Sequence, residues 1–60
     1  MYQDAEELIP GTIIVNSINE AGTLKIFGHF PDGIAYWVVD WTGRGLEIVP
    51  VEKIQDCVIL

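Results

Sequence analysis

Few residues of this 60-residue chain carry the chemistry of catalysis or metal binding, and none stands in the company that chemistry needs. His29 is the sole histidine and Cys57 the sole cysteine, so no zinc-ligand spacing exists; a solvent-facing strand histidine is the expected reading. Ser17, the sole serine, has neither a second imidazole nor a strand-to-helix elbow to make it a nucleophile. Asp40 and Glu47 flank a turn and would have to share one face to share a proton; alternate strand faces make them ordinary exposed acids. Gly43-Arg44-Gly45 offers a guanidinium to a carboxylate or phosphate, against the plainer reading of a turn with a solvated arginine. Cys57-Val58-Ile59-Leu60 has the Cys-aliphatic-aliphatic-Leu pattern of geranylgeranylation, but Asp56 precedes it in place of basic residues. Those apolar residues are wanted for a closing strand, where a free cysteine is expected to be buried. No catalytic residue, metal ligand or cofactor site is expected.

The elements that position these residues centre on Ile34 to Val51. Two runs rich in β-branched and aromatic residues flank Thr42-Gly43-Arg44-Gly45, the signature of a β-hairpin. Both tryptophans and one of the two tyrosines lie there. The first run, Ile34 to Trp41, is apolar on both faces, with Ala35, Trp37, Val39 and Trp41 alternating against Ile34, Tyr36 and Val38. One face of a small sheet points inward, so the other presents apolar surface that needs cover from the N-terminal arm, another chain or a ligand. Phe27, Tyr36, Trp37, Val39, Trp41 and Arg44 are the candidate partner-binding residues: aromatic anchors with few central charges, as in protein interfaces. The competing reading is that the tryptophans fill the core.

Sixty residues make one domain, near the lower limit for a core without a disulfide, a metal or a partner. Half the residues are hydrophobic, which opposes disorder, and no apolar run approaches a membrane span. The expectation is a globular, soluble chain. No basic-then-apolar opening precedes it, which with the single cysteine predicts a cytoplasmic location. Nine acids against three bases give a net charge of −6, and Lys25, Arg44 and Lys53 are scattered, which opposes ordinary nucleic-acid binding.

In chain order, residues 1–9 form an acidic N-terminal arm, with a helical turn over 2–9 as one option and an extended or disordered arm as the other. Residues 10–60 form the domain. Thr12 to Ile18 reads as a first strand, Asn19 to Gly22 as a turn, and Thr23 to Phe30 as a second strand with Leu24, Ile26, Gly28 and Phe30 inward. Gly28 predicts a bulge or bend. Pro31-Asp32-Gly33 is a tight turn, Ile34 to Trp41 the third strand and Leu46 to Val49 the fourth. Pro50 to Ile54 is a one-turn connector of 3₁₀ type, and Asp56 to Leu60 a fifth strand.

This order resembles the Src-homology-3-like small β-barrel over residues 10 to 60: all-β, five-stranded, with a 3₁₀ turn before the last strand. The first loop, Asn16 to Gly22, has only Glu20, so the proline-peptide specificity of some members is not expected. Leu46-Glu47-Ile48-Val49-Pro50-Val51-Glu52-Lys53-Ile54 is similar to a strand and connector of the plasmid-encoded trimethoprim-resistant dihydrofolate reductases, tetramers with a central pore. The Gln-Ile-Tyr that faces the pore in that family is Glu47-Ile48-Val49 here.

The functional expectation is a non-enzymatic protein-protein interaction module, a small subunit or a regulatory or inhibitory protein, binding a partner or itself through the hairpin's aromatic face. One alternative is an oligomeric, reductase-like enzyme with a pocket at its symmetry axis. Another is a barrel that binds single-stranded nucleic acid by aromatic stacking.

Overall fold

The structure, a computed structural model, describes residues 8–60. Its strands are β1 (Ile13–Val15), β2 (Ala21–His29), β3 (Ala35–Trp41), β4 (Gly45–Pro50) and β5 (Val58–Ile59), with a one-turn helix α1 (Val51–Ile54) between the last two. They form one antiparallel sheet in the order β4-β3-β2-β1-β5. β4 and β5 stand at opposite ends and do not pair, so hydrogen bonds leave the sheet open between them.

β3 decides which side is inside. Ala35, Trp37, Val39 and Trp41 are buried, whereas Tyr36, Val38 and Asp40 between them are only half-buried. Trp37, Val39 and Trp41 join Leu8, Ile14, Leu24, Val49 and Ile54 in a single core, with Phe27, Val51, Cys57 and Ile59 packed at its margin. Trp37 is its largest fully enclosed side chain. Burying a side chain of that kind stabilises by roughly 2 to 3 kcal/mol, a large share of what a domain of this size holds. Both tryptophans of the hairpin thus belong to the core, and Tyr36 does not.

β2 departs from simple alternation. Its ladder with β3 runs Leu24↔Val39, then Ile26↔Val38, so Lys25 is the extra residue of a β-bulge. Leu24 faces in; past the bulge the order inverts. Ile26 is 62% exposed and Phe27 packs against the core, the reverse of the faces expected for both. The bulge was expected at Gly28. That glycine instead lets the Tyr36 ring lie flat on the strand: a Cβ there would meet Tyr36 Oη at 2.7 Å and Cζ at 2.8 Å.

Gly22 lies within β2, not in the preceding turn. It is buried beneath Trp41 and Val39, where a Cβ would come within 2.6 Å of Trp41 Cε3 and 2.7 Å of Val39 Cγ1. The turn is built by Asn16, whose Oδ1 accepts from the backbone N–H of Ile18 (3.1 Å) and Glu20 (2.8 Å). Asn19 takes the positive φ of 66°. This Asx turn ends β1 at Val15, shorter than the expected 12–18.

The connector is a single α-turn and not 3₁₀: Gln55 N–H reaches Val51 O at 3.0 Å, and its exit tightens to the shorter spacing through Asp56 N–H to Lys53 O at 3.2 Å and Cys57 N–H to Ile54 O at 2.9 Å. β5 is shorter than expected, but the ladder continues past it through Leu60 N–H to Ile13 O at 2.9 Å. The options for residues 2–7 of the arm lie outside the described residues; Leu8 is buried in the core and Ile9 is exposed.

Candidate functional site

The six expected partner-binding residues do not share a surface. Trp37, Val39 and Trp41 are 1%, 0% and 3% exposed, which corrects their assignment to a contact face: alternation sends all three into the core. Phe27 lies against them, its ring 5.2 Å from that of Trp37. Tyr36 is on the opposite side of the sheet, 4.7 Å from the Phe30 ring. Arg44 is exposed at the β3–β4 turn.

The solvent side of β2, β3 and β4 is the apolar surface left uncovered. Ile26 faces Val38 and Val38 faces Ile48 in register, so three aliphatic side chains cross three strands in one row. Ile26 and Ile48 are 62% and 53% exposed, and Leu46, one step along β4, is 69% exposed. Asp40, opposite both Thr23 and Leu46, is the polar end of this face, and Tyr36 over Gly28 is the other. Ile26 was hidden from sequence reasoning by the bulge. Leu46 and Ile48 were legible as one face of the fourth strand, and their register with Val38 is what joins them to the site.

A cleft of about 440 Å³ is lined by Glu47, Ile48 and Val49 of β4 together with Lys53, Asp56 and Cys57. Ser17, exposed in the Asx turn, also lines it. Burial, and then the neighbouring Asp56 carboxylate, push the Cys57 thiol up, which suppresses the nucleophilic thiolate.

Asn16, Trp41, Arg44 and Glu47 also line the cleft and belong to one polar network. The Arg44 guanidinium donates to both oxygens of Glu20, Nε to Oε2 at 2.8 Å and Nη2 to Oε1 at 3.0 Å. Asn16 Nδ2 adds a bond to Glu20 Oε1 at 2.9 Å, so the β1–β2 turn is tied to the β3–β4 turn. These donors, Arg44 first, hold the Glu20 carboxyl below its ordinary range, and Glu20 in turn raises the Arg44 pKa. Glu47 Oε1 accepts from Trp41 Nε1 at 2.7 Å and lies 3.5 Å from an Arg44 nitrogen, whose Cζ sits 5.2 Å from the Trp41 ring centroid. Arg44 therefore acts as a clasp between two turns.

Asp40 and Glu47 fall on opposite sides of the sheet, Glu47 opposite Val39 and Asp40 opposite Leu46, so they cannot share a proton. His29 is exposed and edge-on to Phe27 at 5.2 Å. Among the described residues no group of three or more His, Cys, Asp or Glu could hold a metal ion, and no helix is long and apolar enough to cross a membrane. Comparison of the chain with protein-family models, curated proteins and solved structures finds no match.

Proposed function

We propose that the chain is a non-enzymatic protein-interaction module that docks through the solvent side of β2, β3 and β4. The observation that carries this reading is the in-register row Ile26, Val38, Ile48, extended by Leu46, on the face opposite the tryptophan core. Isolated exposed aliphatic residues are ordinary; a contiguous row across three strands costs solvation and is the usual mark of an interaction site. The strand order β4-β3-β2-β1-β5, with a one-turn helix before the last strand, supports a Src-homology-3-like small barrel as the framework. The alternatives lose ground on particular residues. Glu47, matched to the pore glutamine of the plasmid-type reductases, has its carboxylate engaged by Trp41 and Arg44, and Val49, matched to the tyrosine, is buried. Stacking on nucleic acid would need the rings of Trp37 and Trp41, which are in the core.

A photo-crosslinking amino acid placed at position 26, with one at the exposed helix position 52 as reference, tests the reading in the source cell. A discrete protein adduct at 26 and none at 52 is expected. Equal labelling at the two positions, or none at 26, overturns it.

A further inference from the structure

The ladders set three rows of outward side chains across β2, β3 and β4: Gly28-Tyr36-Pro50, Ile26-Val38-Ile48 and Thr23-Asp40-Leu46. The third row continues onto β1 and β5, because Thr23 pairs with Ile13 and Leu60 N–H reaches Ile13 O at 2.9 Å. Asp40 is the one charged side chain in these rows. It is half-buried, and among the described residues its carboxylate accepts no hydrogen bond and makes no ion pair. Lys25, exposed at the bulge of the neighbouring strand, forms no bridge to it.

That isolation restricts what can cover the face. Apolar surface laid over Asp40 would take an ion out of water and give it nothing in exchange, which opposes docking. A cover that brings a Lys or Arg turns the same carboxylate into a charge-assisted contact. We propose that the face docks a segment of a different protein, one that presents aliphatic side chains to Ile26, Val38 and Ile48 and a Lys or Arg to Asp40. The inference rests on the docking reading above and names the chemistry of its partner.

Charge opposes the occupants that this chain could itself supply. A second copy carries the same net charge of −6 and its own unpaired Asp40, and two of its three bases are engaged elsewhere: Arg44 is held by Glu20, and Lys53 lines the cleft. Residues 1–7 hold Asp4, Glu6 and Glu7 and neither Lys nor Arg. The excess of acids favours encounter with a basic partner, and Asp40 sets where its cation goes. Asp40 is two residues from Val38 along β3, about 7 Å. The cation and the aliphatic side chain that meets Val38 therefore belong to one short stretch, about two residues apart in a strand or three to four in a helix.

The test is the full chain with the photo-crosslinking residue at position 26, compared in the source cell with Asp40→Asn, Asp40→Lys and Glu52→Gln versions of it, each first shown to be folded by circular dichroism. Glu52→Gln makes the same change of net charge as Asp40→Asn, but on α1. Adduct yield is expected to fall about tenfold with Asp40→Asn, as for one lost charge-assisted bond, to vanish with Asp40→Lys and to persist with Glu52→Gln. Asp40→Asn keeps the shape of the side chain and decides the matter if the lysine variant fails to fold. Mass-spectrometric sequencing of the adduct is expected to find a Lys or Arg within about four residues of the partner's crosslinked position. A yield indifferent to Asp40→Asn, or one that falls as far with Glu52→Gln, overturns the pairing and leaves the docking reading standing. An adduct of twice the 6.7 kDa chain mass, which is a second copy, does the same. No adduct at position 26 in the otherwise wild-type chain removes the docking reading and this inference together.

Discussion

Trp41 and Glu47 are joined across the β3–β4 hairpin by a 2.7 Å hydrogen bond from the indole Nε1 to a carboxylate oxygen that also faces Arg44. The most buried end of β3 therefore carries its one polar atom to the surface and finds an acceptor there. Glu47→Gln keeps an acceptor and is expected to leave the urea midpoint nearly unchanged. Glu47→Leu removes it and should cost about 1 kcal/mol with no change in the denaturant slope.

Replacement of Gly22 by alanine puts a methyl group against Trp41 and Val39, both buried in the core, and should destabilise by about 1 to 3 kcal/mol through overpacking. Gly28→Ala meets only the Tyr36 ring, half-buried on the solvent side, which can swing away. Thermal unfolding of the two variants should place Gly22→Ala clearly below Gly28→Ala; equal midpoints would contradict this packing.

Acidification should weaken the clasp. Folding lowers the Glu20 pKa from 4.5, chiefly through its bonds from Arg44 and then Asn16, so near that pH the unfolded chain binds the proton more readily. The contribution is complete above 4.5 and is lost as pH falls through the lower folded value. Stability measured from pH 6 downward in the wild type and in Arg44→Gln should converge toward the acid end of that range. A difference that stays constant with pH would show that Arg44 does not act through Glu20.

The bulge at Lys25 makes an unequal pair of its neighbours. Leu24→Ala opens a cavity in the core and should cost about 2 to 5 kcal/mol. Ile26→Thr, on the solvent side, should stay within about 0.5 kcal/mol of wild type. Under the uninterrupted alternation expected from the sequence the two would cost alike, so chemical denaturation of both separates the arrangements.

Much of the framework was legible because its signals were local. The β-branched and aromatic runs on either side of Thr42-Gly43-Arg44-Gly45 located the hairpin, and Gly43, with φ of 86° at the third position of the turn closed by Arg44 N–H to Trp41 O, takes the conformation glycine allows. The site was half legible. Alternation along β3 shows that both sides are apolar and one needs cover, but ring size does not mark which side that is. What settles it is non-local: Gly22, without a side chain, makes room under Trp41, and it is 19 residues away in the chain and opposite it in the ladder. The position of the bulge had no marker of its own, since Lys25 is an ordinary strand residue and the nearby glycine served Tyr36. β1 is shorter than its β-branched run implies because the Asn16 side chain captures the backbone of the next turn.

The extra residue at position 25 works as a frameshift in the sheet. Upstream of it even-numbered side chains are interior, downstream odd-numbered ones; were Lys25 paired with Val38 instead of bulged, every later partner would shift by one, turning Ile26 inward and Phe27 outward. The spacing of the chain at that point, independent of which side chain occupies it, is thus a heritable instruction: it keeps an aromatic ring at home and sends an isoleucine to the exterior.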